Sequence, residues 1–156
     1  MSENDQHLQA RKKQSKMELK VKLLGAEAKM PVQMTPGSAG LDVFIPEDYW
    51  IPQGKWARVN LELALEPPEG WCTLIMGRSG LMKAKGIVGQ VGLIDGDYRG
   101  EIGMVLMNHG PNHCLIKKGQ RVGQLLLIPK PTLTLRKVTK LSETERGSKG
   151  FGSTGK

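Results

Sequence analysis

Short apolar runs that alternate at every second residue and then stop at glycine or proline are the feature that most constrains this chain. Met17, Leu19, Val21 and Leu23 alternate with Glu18, Lys20 and Lys22, and Val59, Leu61, Leu63 and Leu65 repeat the pattern until Pro67-Pro68 ends it. A period of two puts successive side chains on opposite faces of a strand, so each run predicts a strand with one buried face. Further apolar runs occupy 41–45, 71–76, 102–107, 122–128 and 133–138, and those at 102–107 and 122–128 are nearly continuous, as in strands covered on both faces. The 20 glycines and 9 prolines supply the breaks, and only 78–85 reads as a short helix. About seven short strands with no helical crossovers predict an all-β fold, an antiparallel sandwich or jelly roll.

At 156 residues the chain fits one domain. Residues 1–16 have no periodicity and read as a disordered basic tail, 17–141 as the β domain, and 142–156 as a tail that cannot fold alone, because Phe151 is its one large apolar residue. The formal charge of +8 is unevenly placed: 7 basic and 4 acidic residues in 1–30, 9 and 9 in 31–129, 7 and 2 in 130–156. A nucleic-acid-binding body should carry its basic stripe on the folded part; here the folded part is neutral, and the N-terminal tail is the one place where a weak nucleic-acid contact fits. Cys72 and Cys114 match no paired metal spacing and no disulfide framework. No run approaches a membrane span, and the first residues lack a leader's apolar core. The expectation is a soluble intracellular protein of the cytoplasm or nucleus.

The C-terminal string from Arg146 to Lys156 contains both G-x-G-x-x-G and G-x-x-x-x-G-K spacings, but each needs a following helix and the sequence stops there. What survives is the chemistry of a mobile phosphate clamp: glycine amides, the hydroxyls of Ser148, Ser153 and Thr154, and the charges of Arg146 and Lys149. Gly92 to Ile102 compresses Asp95, Asp97, Tyr98, Arg99 and Glu101 between apolar runs. It reads as a hairpin turn in which Asp95, after Ile94, is a half-buried carboxylate able to act as general base. Arg78, Ser79 and Gly80 leave a strand as a phosphate nest. Asp42 follows a glycine-rich turn, and Arg121 and Gln124 sit at the entry to a buried strand. His109 and His113 flank the Gly110-Pro111-Asn112 turn, so they share no helical face for zinc.

In chain order, AGLDV at 39–43, GRSGL at 77–81, GLIDGDYRGEI at 92–102, GQRVGQL at 119–125 and RGSKGFGSTG at 146–155 resemble the five motifs of the trimeric dUTP diphosphatase (dUTPase) family. The resemblance implies a jelly-roll homotrimer with an exchanged C-terminal arm that hydrolyses dUTP to dUMP and pyrophosphate, removing dUTP and supplying dUMP for thymidylate synthesis. It implies Asp95 as the catalytic carboxylate, Gly92 and Tyr98 against base and deoxyribose, and Arg78, Ser79, Gly80 and Gln124 on phosphates. Arg146, Phe151, Gly152, Ser153 and Thr154 would close as an arm. It further implies Mg²⁺ held mainly by substrate phosphates and waters, with Asp42 as an assisting carboxylate. The alternatives are a dCTP deaminase-type enzyme and a regulatory binding protein with the same pocket. Gly77 stands where the family usually has proline and Gly123 where it has alanine; a loosened turn at Gly77 predicts that Gly77→Pro improves substrate capture.

Overall fold

The computed structural model describes residues 17–148. Among the described residues the strands are β1 (Lys20–Leu23), β2 (Leu41–Phe44), β3 (Tyr49–Ile51), β4 (Trp56–Asn60), β5 (Leu63–Glu66), β6 (Trp71–Gly77), β7 (Ile87–Gly89), β8 (Gly92–Ile94), β9 (Gly103–Asn108), β10 (Cys114–Ile116) and β11 (Arg121–Pro129), and the helix is α1 (Ser79–Lys85). Every pairing between them is antiparallel: a β2-β11-β6-β8 sheet, a β4-β9-β7 sheet, and the pairs β1-β5 and β10-β3. Val43, Ile51, Val59, Leu61, Leu63, Ile75, Leu106, Ile116, Val122 and Leu125 are sealed between the sheets as one core. The two-residue period holds: along β9, Met104, Leu106 and Asn108 face inward and Val105 and Met107 outward. The all-β jelly-roll expectation stands, and 78–85 becomes α1 with Arg78 at its N-cap and Gly86 closing it in the left-handed region at φ 68°.

Three expectations about elements change. The alternation from Val59 to Leu65 is two strands, because Glu62 takes φ 52° and turns the chain between sheets; β4 pairs with β9 and β5 with β1. Residues 133–138 form no strand: Leu133 and Leu135 are 74% and 92% exposed, because the chain leaves the body after β11 and has no partner strand in its own fold. Gly92 to Ile102 is not a hairpin, since β8 pairs with β6 while β9 pairs with β4 and β7. Strands β3, β7, β8 and β10 have three residues each, too few for a period to be read.

Candidate active site

Asp42 lies on β2, 2% exposed, and could not be buried as a bare carboxylate. Arg121 Nη1 donates to its Oδ2 at 2.8 Å, Gln124 Nε2 donates to its Oδ1 at 3.0 Å, and Arg78 Nε lies 3.5 Å from Oδ1. The pairing explains itself locally. β11 runs beside both β2 and β6, with Gln124 opposite Asp42 and Gly123 opposite Gly77, so Arg78 leaves β6 at the same level. Arg78 and Arg121 keep part of their surface in solvent, 25% and 38%. Two guanidiniums, one amide and the first turn of α1 therefore face one place. Ser79 and Gly80 are exposed there, the helix start has no side-chain cap, and the space beside Gly80 is open.

The second group lies between β8 and β9. Tyr98 N–H donates to Asp95 O at 3.2 Å, closing a turn that Arg99 braces through Nη1 to Gly96 O at 2.8 Å and Tyr98 O at 3.1 Å. The Tyr98 hydroxyl donates to Glu101 O at 3.1 Å, which lays its ring over Gly100 and leaves no room there for a side chain. Asp95 is exposed, not half-buried as its apolar approach suggests. The reason is β8: it is an edge strand, and Val91 and Leu93 beside Asp95 are themselves 60% and 62% exposed. At the other end of β8 a cleft is lined by Arg58, Ile75, Gln90, Gly92, Gly103, Met104 and Val105.

The two groups do not meet in one chain. Ile94 is opposite Thr73 on β6, so Asp95 falls beside Cys72, whereas Arg78 follows the far end of the same strand. Six residues of extended chain separate them by about 20 Å.

The dUTPase family model matches residues 26–155. The chain belongs to the dUTPase family. It is 41% identical over 140 residues to the deoxyuridine 5'-triphosphate nucleotidohydrolase of Clostridium tetani, covering 88% of this chain and 97% of that protein. It is 37% identical over 158 residues to the enzyme of the same name from Candida albicans, covering 100% and 99%. Its fold matches that of the Staphylococcus bacteriophage 80alpha dUTPase with dUPNHPP at a TM-score of 0.84 and 30% identity, covering 88% of this chain and 98% of that one.

As a dUTPase-family chain it brings Arg78, Ser79, Gly80, Gln124 and Asp42 into one cluster, and Gly92, Asp95 and Tyr98 into another. Arg146 is exposed on the departing arm, and Phe151, Gly152, Ser153 and Thr154 lie outside the described residues. Arg121, given no role by its sequence position, is the shortest contact to Asp42; a spacing of three on a strand points it away from Gln124, and only the register irregularity between Arg121 and Gly123 brings both to Asp42. Asp42, expected to assist a metal, has Arg121 on Oδ2 and Gln124 with Arg78 on Oδ1, so its carboxylate braces these side chains. His113 accepts the Gln53 N–H at Nδ1 (3.1 Å) and stacks on Trp50 at 5.6 Å, a structural use. The expectation for Gly77→Pro is also overturned, since a Cβ there would sit 2.6 Å from Gly89 N.

Proposed function

We propose that the protein hydrolyses dUTP to dUMP and pyrophosphate, and that it does so as a homotrimer whose sites combine groups from different copies. The observation that carries this is the separation of an exposed carboxylate, Asp95, at the end of β8 from a buried-aspartate cluster presenting Arg78, Ser79, Gly80 and Gln124. Each is half of a site for a nucleoside triphosphate, and only a second copy can bring them together. The exposed Val91 and Leu93 on the β8 edge and the exposed Leu133, Leu135 and Leu141 on the departing arm are apolar surfaces that such assembly would cover. The arm, 142–156, then closes over the nucleotide with Arg146 on the γ-phosphate and Phe151 over the base.

In the reaction, Asp95 accepts a proton from a water as its oxygen bonds to the α-phosphorus; the bond from that phosphorus to the bridging oxygen breaks, and pyrophosphate departs with the electron pair. Arg78, Gln124 and the Ser79 and Gly80 donors hold the phosphates in line. The base enters the cleft beside Gly92, where close backbone approach can read the uracil edge, and Tyr98 lies under the sugar. Among the described residues no three His, Cys, Asp or Glu side chains group to hold a metal. A Mg²⁺ carried in by the phosphates and their waters would find in the exposed Asp95 a hard carboxylate oxygen able to assist it. Such an ion gathers phosphate charge when bound.

Cys72 and Cys114 are buried and unbonded, which suits a reducing intracellular compartment, cytoplasm or nucleus. Among the described residues no helix is long and apolar enough to cross a membrane.

The test is a nucleotide panel with product identification. Pyrophosphate is expected from dUTP with Mg²⁺, near nothing from dTTP, dCTP and UTP, and a loss of about 100-fold or more in Asp95→Asn with KM little changed. Ammonia from dCTP would point to a deaminase instead.

A further inference from the structure

Three glycines and one methionine occupy a single spot behind both half-sites. A Cβ on Gly77 would lie 2.6 Å from Gly89 N and 2.8 Å from Gly89 Cα; one on Gly89 would lie 2.6 Å from Gly77 Cα and 2.7 Å from Met104 Cε. A Cβ on Gly123 would lie 2.8 Å from Met104 Sδ, 3.1 Å from its Cε and 3.0 Å from Met76 O. The ends of β6 and β7 thus touch backbone to backbone. The Met104 thioether, 4% exposed, fills the room that side chains at 89 and 123 would need. Each glycine immediately precedes a functional segment: Gly77 precedes Arg78, Gly123 precedes Gln124, and Gly89 precedes the Gln90 to Gly92 wall of the cleft. Met104 itself lines that cleft.

We infer that Met104 is a positioning residue that ties the base half-site to the phosphate half-site carried by the same chain. This rests on the hydrolase reading above. Its thioether is the wedge against which the Gly89 strand end and Gly123 are both set, so displacing it moves both. A thioether suits that position because it is long, polarizable and unbranched, so its tip can fill an irregular gap between closely approaching backbones. It also accounts for the pairing of residues seen here. The volume of an alanine methyl at 123 and the tip of Met104 compete for one place, so glycine at 123 and methionine at 104 belong together.

The experiment uses Gly123→Ala, Met104→Val and the double variant of the full chain, all assayed well below their melting temperatures after assembly is checked by light scattering. Calorimetry measures deoxyuridine binding for the base end and magnesium pyrophosphate binding for the phosphate end; steady-state kinetics follows dUTP. In Gly123→Ala both bindings should weaken and kcat/KM should fall about tenfold, because the displaced thioether shifts both segments. Adding Met104→Val, which removes Sδ and Cε, should return both bindings and kcat/KM to within about threefold of the parent, so the losses are strongly non-additive. A drop in melting temperature with unchanged binding and kinetics would make the quartet packing alone and overturn the inference. So would a change at one end only, or independent losses in the double variant. Because calorimetry needs no turnover, a parent that binds both probes but leaves dUTP intact would sink the hydrolase reading and not the link between the two ends.

Discussion

Asp42 orients its neighbours, which would lose that orientation without it. Asp42→Asn keeps the shape but sets an amide against two guanidiniums, removing the countercharge that brings Arg78 and Arg121 to the same carboxylate. With the arginines partly in water, we expect about 1–3 kcal/mol less stability in urea titration. KM for dUTP should rise about tenfold while kcat changes less, since phosphate capture suffers before the attack does. Gly77→Pro is the opposite kind of change, a residue too large for its place. The 2.6 Å approach to Gly89 N leaves the ring no room, so a melting temperature lowered by several degrees and weaker dUTP capture are expected in thermal scans and kinetics. Neither residue's role could be read from its identity. Asp42 in the sequence is one acid after a turn, and its partners lie 79 and 82 positions away; Gly77 resembles any strand-ending glycine until β7 is packed against it.

At the scale of elements, legibility followed length. Seven-residue β6 and nine-residue β11 are clear as apolar runs, whereas the three-residue strands offer no period to count. Glu62 shows the opposite difficulty: the alternation continues past it, and only its positive φ separates β4 from β5. The last apolar stretch, 133–138, has strand composition and no strand, because pairing is a property of two segments and this one finds no partner at home. That makes the arm a direct test of assembly. A chain ending at Pro129 keeps every strand and should give a melting transition close to the parent's, but light scattering should find it shifted toward monomer and dUTP turnover should be lost. A truncated protein that stays assembled would show that the arm contributes nothing to association.

For the molecule as a whole, the five motifs made the two half-sites legible, but not their separation, which depends on how β6 is shared between β8 and β11. Mixing therefore gives a prediction that no single-chain site could meet. Asp95→Asn and Arg78→Met chains, each inactive alone, should regain about a quarter of parental turnover when unfolded and refolded together in equal amounts, since each mixed trimer rebuilds one intact site. Stability against pH has its own pattern. Glu27 and Glu66 lie below their ordinary 4.5 through hydrogen bonds from Lys118 and Lys20, and Asp48 below 3.8 chiefly through the Lys118 backbone N–H. Depressed carboxyl groups lend stability above those values and lose it as pH falls through them. Tyr49 is raised above 10.0 mainly by burial and Lys20 above 10.5 by Glu66, so their contributions are full below 10 and are lost as pH rises beyond it. Thermal scans should give a plateau from roughly pH 5 to 9 with a shallow acid shoulder, and because these carboxylates sit at the surface, added salt should flatten that shoulder.

The distance between the half-sites also governs behaviour at low abundance. If sites are shared between copies as proposed, a newly synthesised chain would be inert until it meets them, and the rate at which nucleotide is cleared should climb more steeply than the amount of protein present. Where expression is scarce, a modest increase in synthesis would be amplified into a much larger increase in output.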